Sequence, residues 1–233
     1  MSPGILRAVG AGLALCVGVL STNASAETVG QAQAETITVT GHIPPAFFGS
    51  AAVPMKLSRY ADGWYRSRID ASRHPAMLRL IAPARSMSRE QQIAYVQTAV
   101  HHQIRWMSDA TEWGEHDYWA SAPETLDRGA GDMEDRAIVK LQALKALGFP
   151  SRDLFLTMGR DKVGGPITVL VARTGGRHYV LDDTGGTPYL AETRHEFEPY
   201  MSFGSSKTWI HGKRAVKSST VAAAAAAATS GRR

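Results

Sequence analysis

The chain predicts an α+β domain, and three observations carry that prediction. Ile93, Val96, Val100 and Ile104 recur at helical spacing behind a Ser88-Arg89-Glu90-Gln91 capping box. Residues 132–147 form a second, strongly marked helix, acidic at its start and closed by Gly148 and Pro150. After it the pattern changes to that of strands, with Gly175-Gly176 as a tight turn between two of them. Helices first and antiparallel strands afterwards give a helix packed on a sheet.

The first 26 residues read as a secretory signal. Arg7 supplies the basic region, residues 13–20 a short apolar core, and Ala24-Ser25-Ala26 an A-x-A cleavage site. That core falls short of the roughly 20 residues a membrane span needs, so cleavage and a periplasmic or secreted location are expected, with no stable span afterwards. Cys16 is the only cysteine and leaves with the signal. Leu15 before it argues against lipid attachment. The exported chain then has neither thiol nor disulfide and rests on a hydrophobic core. Losing Arg7 takes the formal charge from +5 to +4, a mild excess that makes no nucleic-acid case.

Residues 27–53 are polar, then Thr-rich, then carry Pro44-Pro45, and read as an extended, loosely ordered lead. Thr36-Ile37-Thr38-Val39-Thr40 alternates as one short strand would. The domain proper is expected over 54–212. The helix after Ser88 is expected to run to Trp106. Residues 111–128 read as a loop with one short helix near Pro123-Glu124, because proline suits a first helical turn. In 132–147 the buried stripe is Ile138, Leu141, Leu144 and Leu147. Strands follow at 154–158, 167–173 and 177–182. Residues 213–233 contain an alanine run at 222–228 without an amphipathic face, and read as a disordered tail.

The chemistry centres on Gly131-Asp132-Met133-Glu134-Asp135 at the start of the second helix. A helix N-terminus followed by two strands is a known way to build a thiol site. The helix end lowers the thiol pKa, the first strand brings a histidine, and the next brings a carboxylate that orients it. Asp182, at the end of Tyr179-Val180-Leu181-Asp182, supplies such a carboxylate. Met133 stands at the helix end, where its capped thioether cannot ionise. The first strand, Pro166-Ile167-Thr168-Val169-Leu170, has no histidine.

From about residue 85 to residue 200 the chain resembles the bacterial transglutaminase-like cysteine peptidases, a family of periplasmic proteases. The resemblance rests on Trp106-x-Ser108-Asp109, Gly114-x-x-Asp117-x-Trp119, Pro123-Glu124-x-Leu126 and Gly129-x-Gly131-Asp132-Met133-Glu134-Asp135-x-Ala137-Ile138-x-Lys140, with Leu144 and Gly148 beyond. It implies a papain-like, transglutaminase-like α+β fold and a protein or peptide partner. It also implies a catalytic triad whose cysteine position is Met133, whose histidine position is Ile167 (or Pro166 if the register slips), and whose aspartate is Asp182. The family binds Ca²⁺ through acidic residues beside the cysteine, which fall on Asp132 and Glu134. Hard carboxylate oxygens suit that ion; helix-start electrostatics account for the same residues without a metal.

Other residues carry weaker signals. Trp106, Trp113, Tyr118 and Trp119 line a groove or fill the core; the core reading is favoured on composition. His178 lies four residues before Asp182, so both are expected on one strand face. It reads as a relocated catalytic base or, preferably, an edge-strand polar residue. Asp183-Thr184-Gly185 spells an aspartic-protease triplet that turn chemistry explains equally well. His101, His102 and His116 lack a metal-ligand spacing. The leading expectation is a catalytically inactive pseudo-peptidase that binds a peptide segment of a surface or periplasmic protein, or a regulator. The alternatives are a hydrolase rebuilt around Asp182, Asp183 or His178, and a glycan- or cell-wall-binding module built on the tryptophans.

Overall fold

The computed structural model describes residues 47–56, 60–161, 165–193 and 196–213. The signal, the 36–40 strand and nearly all of the Ala-rich tail lie outside these residues. Among the described residues, no helix is long and apolar enough to cross a membrane.

The elements run β1 (Ser50–Met55), α1 (Ala61–Ser67), α2 (Pro75–Ile81), α3 (Arg89–Gln103), β2 (Arg105–Trp106), α4 (Asp109–Glu112), α5 (Ala122–Arg128), β3 (Ala130–Gly131) and α6 (Met133–Ala146). Then come β4 (Leu154–Asp161), β5 (Gly165–Thr174), β6 (Arg177–Leu181), β7 (Tyr189–Leu190), β8 (Phe197–Phe203) and β9 (Thr208–Lys213). Seven strands form one sheet in the order β1-β9-β8-β4-β5-β6-β7. All its pairings are antiparallel. The predicted α+β architecture, with the site helix on an antiparallel sheet, is the one observed.

The helices cover one face of the sheet. Ile138, Leu141 and Leu144 of α6 pack with Ile93, Val96 and Val100 of α3 against Leu156, Leu170, Ala172 and Leu181. The intervening strand residues, Phe155, Val169, Val171 and Val180, point the other way and pack with Phe47, Phe197 and Trp209. Both faces of the central strands are therefore apolar, and this fixes which residues of β5 can face the helices.

Three expectations are corrected. The first helix stops at Gln103 rather than Trp106, because Ile104 is extended (φ −104°, ψ 110°) and Arg105–Trp106 pairs with Ala130–Gly131. The Ile104 carbonyl, released from the helix, accepts from the Arg136 guanidinium at 2.6 and 3.1 Å. Within 111–128 the short helix expected near Pro123-Glu124 is α5, which opens on its own Ser121 capping box; the expectation lacked only α4, which begins at Asp109. The domain boundary expected at residue 54 falls inside β1, which pairs with β9 along its whole length. Pro54 is tolerated there because β1 is an edge strand. The Gly175-Gly176 turn is as predicted, with both residues at positive φ (56° and 74°).

Candidate functional site

The site is assembled at the start of α6. Asp132 is its N-cap, and its Oδ1 accepts from the Glu134 and Asp135 amides at 3.1 and 3.4 Å. The strand before it is pinned from both ends, since Arg105 N–H donates to Gly129 O and Met107 N–H to Gly131 O. Gly131 is required by close approach. A Cβ there would lie 2.7 Å from Asp135 Cβ and 2.8 Å from its Oδ2. Met133 occupies the first helical position, half-buried.

Three carboxylates converge beside it. One oxygen from each of Asp109, Asp132 and Asp135 lies within 4.8 Å of the others. Asp109 and Asp135 each use one oxygen to hold the loop above the helix. Tyr118 N–H donates to Asp109 Oδ2 at 2.6 Å, and Ala120 N–H to Asp135 Oδ1 at 2.7 Å. Their other oxygens, Asp109 Oδ1 and Asp135 Oδ2, are buried without a hydrogen-bond partner. Burial, reinforced by neighbouring negative charge, pushes the Asp132 and Asp135 carboxyls up to about 8. Burial also raises Asp109, against the pull of the Tyr118 amide. Orphaned buried oxygens in an all-carboxyl cluster, whose protons a cation would displace, are what a hard divalent cation satisfies. The residues therefore fit Ca²⁺.

The ligand pair inferred from resemblance is extended by this geometry. Asp132 belongs to the cluster. Glu134, side-chain bonded to Asp132, also accepts from Thr168 Oγ1 at 3.2 Å, and burial raises its pKa. Asp109 and Asp135 stand with Asp132 on the other side. The sequence held a signal for both, since they stand in the motifs that carry the resemblance, but nothing in it said that α4 folds against the α6 start.

The histidine position also moves. Ile167 packs with the Phe47–Trp209 cluster on the far face of the sheet. The β5 residue that reaches the α6 N-terminus is Thr168. A one-residue change of register on a strand exchanges faces, and this corrects Ile167; Pro166, two residues before Thr168, shares the face of Thr168 but has no group that transfers a proton. Asp182 is buried beside α3, directly after β6, whose Leu181 pairs with Leu170 of β5. Its Oδ1 accepts from Gln97 Nε2 at 3.1 Å and from Thr184 N and Oγ1 at 3.0 and 2.7 Å. Its carbonyl accepts from the buried Lys140 ammonium, whose pKa burial lowers to about 8. Asp183 pairs with Arg136 at 2.7 Å.

His178 does not share a face with Asp182. It lies against Phe47, with ring centroids 5.5 Å apart, and bonds Glu192 at 2.8 Å. Its strand ends at Leu181, so the alternation expected to carry from 178 to 182 is broken. Trp119 is 3% exposed and packs on Tyr60 and Phe203, so it is core rather than groove. Trp106 is 55% exposed and pairs in β2 with Gly131, directly beside the α6 start.

No curated protein sequence matches the chain. Among solved structures, Legionella pneumophila LapG aligns over 68% of this chain and 90% of its own, at 25% identity and a TM-score of 0.51. The EGTA-treated form of LapG aligns over 70% and 90%, at 24% and 0.52. The calcium-bound form aligns over 66% and 87%, at 24% and 0.51. The sequence profile described as bacterial transglutaminase-like cysteine proteinase BTLCP matches residues 69–214. With that match spanning more than half of its length, this chain belongs to the bacterial transglutaminase-like cysteine proteinase family.

Proposed function

We propose that this protein is an exported, calcium-binding member of the family that has lost peptidase chemistry and acts by binding a peptide segment or a regulatory protein. The observation that carries the reading is the pair of side chains at the reactive positions. Met133 stands at the helix end where a thiolate would attack, and Thr168 stands on β5 where a base would face it. A thioether does not ionise, and a threonine hydroxyl is no general base near neutral pH.

Other parts of the site support binding rather than rebuilt catalysis. Asp182, Asp183 and His178 are held by Gln97, Arg136 and Glu192 respectively. The exposed Trp106 offers an aromatic anchor beside the α6 start. The export signal read in residues 1–26 supports a periplasmic or secreted location.

Asp109, Asp132 and Asp135 would hold the calcium. A bound ion would neutralise the cluster through the unpartnered oxygens of Asp109 and Asp135, while their other oxygens hold the Tyr118 and Ala120 amides, so the same carboxylates would tie that backbone to α6. LapG has been solved in calcium-bound and EGTA-treated forms.

Two measurements test the proposal. Purified protein incubated with a casein digest and a thiol-directed probe is expected to show neither turnover nor labelling; turnover abolished by Met133→Ala would refute inactivity. Millimolar calcium is expected to raise Tm, with reversal by EGTA and loss of the effect in Asp109→Ala. An unchanged Tm would remove the metal from the reading.

A further inference from the structure

At the opposite end of α6, about 18 Å from Met133 at a rise of about 1.5 Å per residue, two cavities adjoin. One of about 150 Å³ is bounded by Trp64, Arg68, Lys145, Ser151 and Ser205. The other, of about 230 Å³, shares Trp64, Arg68 and Ser205 and adds Tyr65 and Lys207. Their three cations come from three separate elements: Arg68 caps the end of α1, Lys145 lies in the last turn of α6, and Lys207 sits in the β8–β9 turn.

These charges are largely unspent. Among the described residues, the side chains of Arg68 and Lys207 make no salt bridge. Lys145 Nζ bonds Gln142 at 3.3 Å and feels the Asp70 carboxylate, which is itself bonded to Ser72. Folding has gathered like charges without matching counter-ions, at a cost an anion would relieve. The walls between the cations carry serine hydroxyls, aliphatic groups from Met55, Leu141 and Leu154, and two aromatic rings. Tyr65 is 61% exposed, while Trp64, stacked on Phe203 at 5.4 Å, is 7% exposed and reaches the cavities with only a small part of its surface. A bare inorganic anion has no use for aromatic surface, whereas a sugar ring packs on it and bonds the serines.

We propose that these adjoining cavities form a binding site for an anionic sugar, with its acidic group on Arg68 and Lys207 and its ring against Tyr65, next to the small exposed part of Trp64. The site is independent of the chemistry at Met133 and of calcium. The probes are glucose 6-phosphate, glucose and inorganic phosphate, added to the full chain while the Trp64 indole N–H resonance is followed by NMR. Glucose 6-phosphate is expected to shift it saturably and glucose to leave it unmoved. Because Arg68 and Lys207 are exposed, the double variant Arg68→Glu with Lys207→Glu keeps the fold, and it is expected to weaken binding by at least about tenfold. No saturable shift, or an unchanged affinity in the double variant, would overturn the site. Inorganic phosphate binding as tightly as the sugar phosphate would overturn its assignment to a sugar.

Discussion

Met133 shows how much one side chain decides. Its neighbours keep the frame: Gly131 makes room for Asp135, and Asp132 caps the helix. Two predictions belong at this scale. Gly131→Ala forces a methyl group against the Asp135 side chain, and should lower stability by about 1–3 kcal/mol in denaturant unfolding. Asp132→Asn should change sign with calcium. Asparagine caps a helix as well as aspartate. In EGTA the variant removes one carboxyl whose pKa is raised by burial and then by the neighbouring carboxylates, and should match or exceed the parent by about 1 kcal/mol. In calcium it loses a ligand and should melt lower than the parent. A variant less stable than the parent in EGTA would show that the cluster is not under mutual repulsion.

Among the elements, α6 is the part most legible in the sequence. Its acidic start, its stripe of Ile138, Leu141 and Leu144, and Gly148 at φ 86° all stand where periodicity and capping rules put them. Leu144 is fully buried against α3 and the sheet, so Leu144→Ala should cost about 2–5 kcal/mol in the same unfolding measurement. β5 was legible as a strand but not in its facing. Both of its faces are apolar, so hydrophobic alternation does not distinguish Ile167 from Thr168 as the residue nearest the site. The double variant Met133→Cys with Thr168→His is therefore the one expected to recover any peptidase activity. Met133→Cys with Ile167→His should recover none, because residue 167 faces away from α6. Parallel assays of the two variants check this.

Over the whole molecule, closure of the sheet depends on one buried histidine. Ser50 Oγ donates to Phe47 O at 2.7 Å, which leaves His211 Nδ1–H to donate to Ser50 Oγ at 2.8 Å. His211 Nε2 then accepts from Ser202 Oγ at 2.7 Å, and Ser202 is bonded to Thr157 at 2.8 Å. The chain of bonds links β1, β9, β8 and β4. Burial lowers the His211 pKa from 6.5 to about 4. The unfolded chain therefore binds more protons between those values, and stability rises with pH across that window. The contribution is complete above about 6.5 and is lost as pH falls towards 4. The Asp132 and Asp135 carboxyls, raised to about 8, act with the opposite sign over the same range, so the histidine's share is read as a difference: from pH 4 to pH 7 the Tm of the parent should rise relative to that of the His211→Gln variant. Equal slopes would place the pH dependence elsewhere.

Sequence alone determined the fold class, the site helix and a side chain at residue 133 that cannot ionise, because periodicity, capping and side-chain chemistry are local properties. Tertiary structure decided the rest. Asp109 joins Asp132 and Asp135 only because the backbone at Tyr118 and Ala120 is hung from two of these carboxylates, which folds α4 against α6. Thr168, not Ile167, meets the helix because strand register assigns each side chain to a face. Trp119 enters the core while Trp106 stays outside, a choice made by packing around Gly63 and Phe203 that no spacing of tryptophans encodes.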